Sequence, residues 1–288
     1  MANPFSKFSQ YFLESLRNGR KAMRHSERMA HMMVDNYLDE HLFKAEKYQD
    51  PKKLNKYEFQ VYSQNGEDGI IEEIFKRIGT TNKFFIEFGV DNGLENNTAY
   101  LLLKDWSGLW IDGNPNFIST IREKYGFLID QKKLFVKNAF INAENIESLF
   151  KEAGAPQEFD LISIDIDQND YWVWRGITNF NPRIVVIEYN ALIRPNTKFV
   201  VEYDAGKMWN QTAYHNASLK SLELLGREKG YSLVGCNFVG ANAFFVRNDL
   251  LKDYFAEPFT AENHHEPPRY YLTRQIGHPR DFGPFKNI

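Results

Sequence analysis

The stretch Lys83–Thr98 reads K-F-F-I-E-F-G-V-D-N-G-L-E-N-N-T. Phe84–Ile86 is an apolar run, Glu87 is an acid, and Gly89 and Gly93 follow ahead of a helix-start signal. This is the pattern of a buried strand entering a glycine turn that opens a helix. Glycine allows backbone conformations that other residues resist. A ligand can then lie against bare main chain, with helix N–H groups pointing at it. The spacing is E-x-G-x-x-x-G rather than G-x-G-x-x-G. That difference points away from a dinucleotide pyrophosphate and toward S-adenosylmethionine (SAM).

Outward from this stretch, strands and helices alternate. Strands are expected at 84–88, 108–112, 133–137, 159–165 and 183–189. Helices are expected at 95–104, 115–125, 143–153, near 171–178 and at 215–229. Leu161–Ile164 and Ile184–Ile187 are nearly continuous apolar runs, as a parallel strand covered on both faces requires. Tyr231–Cys236 and Ala241–Arg247 then form two strand-like runs across Asn237–Gly240, a hairpin signal. The expectation is an α/β fold with a doubly wound, mostly parallel seven-stranded sheet that closes on a C-terminal antiparallel hairpin. This is the Rossmann-like class I order, in which a plain dinucleotide-binding sheet does not end.

In such a sheet, ligands bind outside the carboxyl ends of the strands. Glu87, Gly89, Asp91 and Gly93 follow strand 1, and Asp112 ends strand 2 in G-L-W-I-D-G-N-P. An acid there is placed for both ribose hydroxyls, although D-G-N-P is also good turn chemistry. Asn138 and Ala139 follow strand 3. Strand 4 runs into Asp165-Ile166-Asp167-Gln168-Asn169-Asp170, and strand 5 into Glu188-Tyr189-Asn190. Acids this dense are costly to bury without a purpose. Residues two apart on an extended strand share a side, so Asp165 with Asp167, and Glu188 with Asn190, converge. Two uses remain open: ligation of a hard divalent cation such as Mg²⁺, or direct hydrogen bonds to the SAM amino group and an acceptor hydroxyl. His215, just before a helix, is either the base for that hydroxyl or a capping histidine. The segment 191–212, with Arg194, Lys198, Tyr203, Lys207 and Trp209, is too long for a mere connection and suits a sugar bearing a phosphate or nucleotide.

Ahead of the sheet, Ser63-Gln64-Asn65-Gly66-Glu67-Asp68 precedes Ile70, Ile71, Ile74, Phe75 and Ile78 at helical spacing. Ser63 or Asn65 caps that helix, with Glu67 and Asp68 in its first turn. Capping leaves Gln64 unexplained and available to a ligand. Residues 1–55 carry Phe8, Phe12, Leu16, Met29, Met32, Met33, Leu38 and Leu42 at helical spacing. They read as an arm of two amphipathic helices that packs or makes a homo-oligomer, with a substrate lid or a membrane-surface role as the alternatives. The expected domain runs from 56 to 255. A proline-rich tail, 256–288, is expected to wrap the surface.

The formal net charge of −3 gives no electrostatic case for nucleic acid. The single cysteine, Cys236, excludes an intrachain disulfide and a Cys-rich zinc site. No apolar run approaches the ~20 residues of a membrane span. The N-terminal residues lack a signal-peptide core, so a cytoplasmic location is expected.

Taken together, S-Q-N-G-E-D-G-I-I (63–71), F-I-E-F-G-V-D-N-G (85–93), W-I-D-G-N-P (110–115), L-I-S-I-D-I-D-Q-N-D-Y-W (161–172), V-V-I-E-Y-N (185–190) and G-Y-S-L-V-G-C-N-F-V-G-A-N-A-F-F-V-R (230–247) resemble the FkbM-type SAM-dependent methyltransferases. The resemblance is nearest to the branch found among bacterial capsule and surface-glycan genes. It implies methyl transfer from SAM to a hydroxyl of a nucleotide-sugar or a capsular polysaccharide precursor. It places Glu87, Gly89 and Gly93 at the methionine end, Asp112 at the ribose, Asn138-Ala139 at the adenine and Asp165 by the sulfonium. More distant sugar O-methyltransferases hold a divalent metal with acids after strands 4 and 5. Here Glu188-Tyr189 replaces two adjacent acids, with Asn190 as the substitute. A nicotinamide-dependent oxidoreductase, or a non-catalytic module of a glycan assembly complex, are the alternative readings.

Overall fold

The computed structural model describes residues 4–274 and 277–285, with side chains from Leu13 onward. The chain divides into two compact units, 1–49 and 50–288. The first unit holds one continuous helix, α1 (Pro4–Tyr37), followed by a π turn at Leu38–Leu42. The sequence suggests two helices. Nothing between them breaks the hydrogen-bond ladder: Gly19 sits mid-helix, and no proline follows Pro4 until Pro51. Phe8 and Phe12 lie outside the described side chains.

The second unit is the sheet and its cover. In chain order it runs α2 (Glu67–Ile78), β1 (Phe84–Phe88), α3 (Ala99–Leu102), β2 (Ser107–Asp112), α4 (Pro115–Asp130), β3 (Leu134–Asn138), α5 (Ile146–Glu152), β4 (Glu158–Ile164), α6 (Asp170–Gly176), β5 (Asn181–Glu188), α7 (Leu219–Glu228), β6 (Tyr231–Cys236), β7 (Asn242–Arg247) and α8 (Ala261–His264). The strand order is β3-β2-β1-β4-β5-β7-β6. The first five strands pair in parallel, and β7 inserts antiparallel between β5 and β6. This is the doubly wound sheet with a closing hairpin that the apolar runs call for. Helix starts obey local chemistry. Pro115 occupies the first turn of α4, where the Asn114 side chain accepts from Asn116 N at 3.0 Å. Ser218 caps α7 in the same way, accepting from Ser221 N.

Each face of the sheet has its own core. Phe85, Trp110, Ile121, Tyr125, Leu161, Val186 and Phe244 fill the α2–α4 side. Ile86, Phe88, Phe150, Ile162, Trp174, Leu222 and Phe245 fill the α5–α7 side. The described part of the tail is more than a surface wrap. Ala256, Ala261, His264, Glu266, Leu272 and Phe282 are buried. Phe282 lies 4.4 Å from Tyr125 and 5.3 Å from Tyr62 between ring centroids. Apolar side chains interleaved with the prolines anchor the extended backbone. Residues 275–276 and 286–288 of that tail lie outside the described residues.

Candidate active site

The turn after β1 is shaped by the protein's own packing. Gly89 has φ 73°, and a Cβ there would stand 1.6 Å from the Asp165 carbonyl oxygen. Only glycine lets the loops after β1 and β4 meet. Gly93 has φ 78°, and a Cβ there would press on Trp110 at 2.9 Å and on Tyr125 at 3.2 Å. The Tyr125 hydroxyl donates to the Gly93 carbonyl at 2.6 Å. Both glycines are therefore demanded by packing, whatever also lies against them.

Glu87 is buried and has no free oxygen. Its Oε1 accepts from Asn97 N at 2.8 Å. Its Oε2 accepts from Asn96 Nδ2 at 2.9 Å, Thr98 N at 3.1 Å and Thr98 Oγ1 at 2.5 Å. Burial pushes its pKa up, and these bonds oppose the shift. The resemblance puts Glu87 at the methionine end of SAM. In the structure it orders residues 96–98, so the chain stays out of helix until Ala99 rather than starting near Glu95. Asn97 Nδ2 then reaches Ser163 on β4, and Trp110 Nε1 reaches Thr98.

Asp112 ends β2 and is 7% exposed. Its Oδ2 accepts from Asp91 N at 3.0 Å and its Oδ1 from Asn114 N at 2.7 Å. Each oxygen keeps a second lone pair. Asn138 Nδ2 and Ala139 N both donate to the Asp112 carbonyl, so the strand-3 end braces the strand-2 end. Asp91 is exposed at φ 48°. The partial burial of its carboxyl raises its pKa, and so do the charges of Asp112, Asp167 and Glu95. Gln64 is exposed. Its Oε1 accepts from Asn65 Nδ2 at 3.4 Å, and its carbonyl accepts from Gln60 Nε2.

The acids after β4 and β5 do converge. One carboxylate oxygen each from Asp165, Asp167 and Glu188 lies within 4.8 Å of the others. They meet by a route other than strand alternation. β4 ends at Ile164, and Asp167 sits in the left-handed region at φ 65°. Burial raises the Asp165 pKa well above its ordinary value, and so do the charges of Glu188, Asp170, Asp167 and Glu87. Glu188 is raised in the same way by burial, Asp170 and Asp167. The charges that raise Asp165 are those of acids. Three hard oxygen donors with no cationic side chain among them fit a divalent cation.

Asn190 is not part of this cluster. It is 1% exposed, and its Nδ2 donates to the Ala213 carbonyl at 2.9 Å and the His215 carbonyl at 3.1 Å. Its Oδ1 accepts from Leu192 N. β5 ends at Glu188, so the two-residue alternation that would pair Asn190 with Glu188 no longer applies. Asn216 takes that place. It stands at φ 50° and donates Nδ2 to Glu188. Sequence reasoning passed over it, although its position beside His215 was a signal. His215 itself is buried, with its ring 5.9 Å from that of Trp209 and its pKa lowered by burial.

Three further groups have partners that their sequence positions do not indicate. Asp170 opens α6, accepts from Ile166 N at 2.9 Å, and has its pKa pushed by burial up to about 7. Tyr270, from the tail, has its pKa raised by partial burial and then by the Glu188 charge. Glu67 does not serve a helix start alone: its Oε1 accepts from Asn237 Nδ2 at 2.7 Å and Asn242 Nδ2 at 2.9 Å, tying α2 to the hairpin. The capping residue of α2 is Gly66. Ser63 instead exchanges hydrogen bonds with Asp68.

No family model matches this chain, and no curated protein sequence matches it. Among solved structures it is similar to a Klebsiella pneumoniae protein provisionally assigned as an O-methyltransferase, at 14% identity over 77% of this chain and 100% of that one, with a TM-score of 0.42. It is also similar to the plantazolicin methyltransferase BamL in complex with a triazolic desmethylPZN analog and SAH, at 10% identity over 79% and 99%, with a TM-score of 0.42. A third is the N-terminal domain of EvdMO1 in the presence of SAH and D-fucose, at 10% identity over 78% and 94%, with a TM-score of 0.39. The fold assignment rests on the strand order itself: a seven-stranded, Rossmann-like sheet, parallel except for β7, in the class I methyltransferase arrangement.

Proposed function

We propose that the chain is a SAM-dependent O-methyltransferase acting on a sugar hydroxyl, carried by a nucleotide-sugar or by a capsular or surface polysaccharide precursor. The observation that carries this reading is the convergence of Asp165, Asp167 and Glu188 at the carboxyl edge of β4 and β5, against the left-handed turn at Gly89. Asp112 would hold the SAM ribose with Asp91 beside it, Asn138 and Ala139 would border the adenine, and Asp165 would lie by the sulfonium.

In the transfer, the acceptor oxygen attacks the sulfonium methyl carbon. The new C–O bond forms as the C–S bond breaks, and S-adenosylhomocysteine leaves. The hydroxyl proton passes to a base. His215 suits that role because burial keeps it neutral at pH 7, with Asp165 or Asp167 as the other candidates. The protein's main contribution is to hold donor and acceptor in line. Asp165, Asp167 and Glu188 are the residues that would hold a divalent cation. When bound, such a cation supplies Lewis acidity that lowers the acceptor hydroxyl's pKa. Arg194, Lys198 and Lys207 line the 191–212 segment, where an acceptor's phosphate would be met.

The test is incubation with labelled SAM and a panel of nucleotide-sugars, with and without Mg²⁺, read by mass spectrometry. Asp165→Ala is expected to abolish transfer while leaving the circular dichroism spectrum unchanged. Near-normal turnover in that variant would sink the assignment. Calorimetric titration showing NAD bound and SAM ignored would move the chain to oxidoreductases. Label transferred to no acceptor would favour a non-catalytic module.

A further inference from the structure

Within the tail, residues 266–273 read E-P-P-R-Y-Y-L-T. Pro267 and Pro268 fix φ and donate no backbone hydrogen bond, so this segment is held by its neighbours rather than by its own secondary structure. The contacts lay it across the carboxyl edge of the sheet. The hydroxyl of Tyr189, the residue after β5, donates to the Glu266 carbonyl at 2.7 Å. Arg269 donates its backbone N to the Val239 carbonyl and its Nη1 to the Phe238 carbonyl, both at 2.8 Å. Those carbonyls belong to the β6–β7 turn. That turn stands beside the end of β5, because Asn242 pairs with Glu188. Farther on, Leu272 is buried, and the Thr273 hydroxyl donates to Asn65 Oδ1 at 2.7 Å.

Tyr270 lies between these anchors, in the single turn Tyr270–Leu272, and is 52% exposed. Its backbone is therefore fixed while much of its side chain stays open to a ligand. Its hydroxyl has no hydrogen-bond partner among the described residues. The charge that acts on it is that of Glu188, one of the three converging acids. A phenol offers a ring face to apolar C–H groups and a hydroxyl to a polar partner. A sugar presents both. The acids decide which part of an acceptor belongs here. Asp165, Asp167 and Glu188 repel a phosphate and leave a neutral polyol unopposed.

We propose that Tyr270 is an acceptor-binding residue, its ring packing against the neutral sugar and its hydroxyl bonding a sugar hydroxyl, so that the tail forms one wall of the acceptor site beside Glu188. This rests on the sugar O-methyltransferase reading. It adds to that reading a residue outside the sheet and an orientation, with the sugar ring toward the acids and the phosphate away from them.

The experiment is steady-state kinetics of the full chain, with its best acceptor from the nucleotide-sugar panel, for the native protein, Tyr270→Phe and Tyr270→Ala. Tyr270→Phe keeps the ring and should raise the acceptor KM about fivefold, the worth of one hydrogen bond. Tyr270→Ala loses both contacts and should raise it by more than about tenfold. The KM for SAM, kcat and the thermal midpoint should stay as in the native chain, because ground-state binding of the acceptor alone is removed. An unchanged acceptor KM in Tyr270→Ala overturns the proposal and leaves the methyltransferase reading standing. A rise in the KM for SAM instead assigns Tyr270 to the cofactor and overturns it as well. A native chain that methylates no nucleotide-sugar overturns both.

Discussion

Gly89 stands where two loops meet with no space between them. Its positive φ costs an alanine something by itself, and the Asp165 carbonyl oxygen 1.6 Å from the Cβ position costs far more. Gly89→Ala is expected to lose at least about 3 kcal/mol of stability in chemical denaturation. It should also lose SAM affinity, because relief of the clash moves the Asp165 loop. A variant of native stability would show that the two loops have room to part. His215 makes a second prediction at this scale. Burial disfavours its imidazolium, so its pKa lies below the ordinary 6.5. A base must be neutral to accept a proton. Hence kcat/KM should climb as pH rises through that lowered pKa and then level off. His215→Asn should lower the plateau by about 10²–10⁴ and remove the acid limb. A variant that keeps the limb would hand the role to a carboxylate. Another pair of residues shows how chemistry is read at a site. Glu87 and Asp165 are both acids at the ends of central strands. The first has a donor on each oxygen, and the second faces other acids.

At the level of elements, the sheet is tied at both ends by buried acids that the chain reaches from far away in sequence. At the amino end, Asp160 on β4 accepts from Thr81 N, Thr81 Oγ1 and Lys83 N and pairs with Arg183 on β5 at 2.8 Å. Arg183 also donates to the carbonyls of Ile78 and Gly79 at the end of α2. Asp160→Ala strands a buried guanidinium and three donors, and should cost about 3–5 kcal/mol in urea unfolding. A loss below about 1 kcal/mol would mean that water replaces the carboxylate. At the carboxyl end, Glu67 ties α2 to the hairpin through Asn237 and Asn242. The strand runs, the hairpin and most helices were legible because they depend on local periodicity and turn chemistry. Helix starts were less legible. α3 begins at Ala99 because Glu87, on a different element, claims the backbone of Asn97 and Thr98 first.

For the whole molecule, the tail carries the clearest prediction. Phe282 is 7% exposed and stacks among Tyr62, Tyr125 and Phe127. Tyr62 also donates to the Asp281 carbonyl, and Arg280 to that of Ser63. Phe282→Ala should cost about 3 kcal/mol. It should also loosen residues 63–65 in hydrogen exchange, because the tail is bonded to them. Native protection in that segment would separate the tail from the site. The proline count of the tail pointed to extended chain, but nothing local said that its aromatics would enter a core built by α2 and α4.

Hydrophobic periodicity, turn residues and strand-end acids lie within a few residues of one another, so the sequence alone determined the succession of strands along the chain, the closing hairpin and the acids that follow the strands. Which acids remain available there was decided only in three dimensions. Glu87 and Glu67 are enclosed, Asn190 is spent on the Ala213 and His215 carbonyls, and Asp165, Asp167 and Glu188 are left facing one another. The physical reason is that a carboxylate's state depends on its hydrogen-bond donors and neighbouring charges. Here they arrive from elements tens of residues away, where no spacing rule reaches.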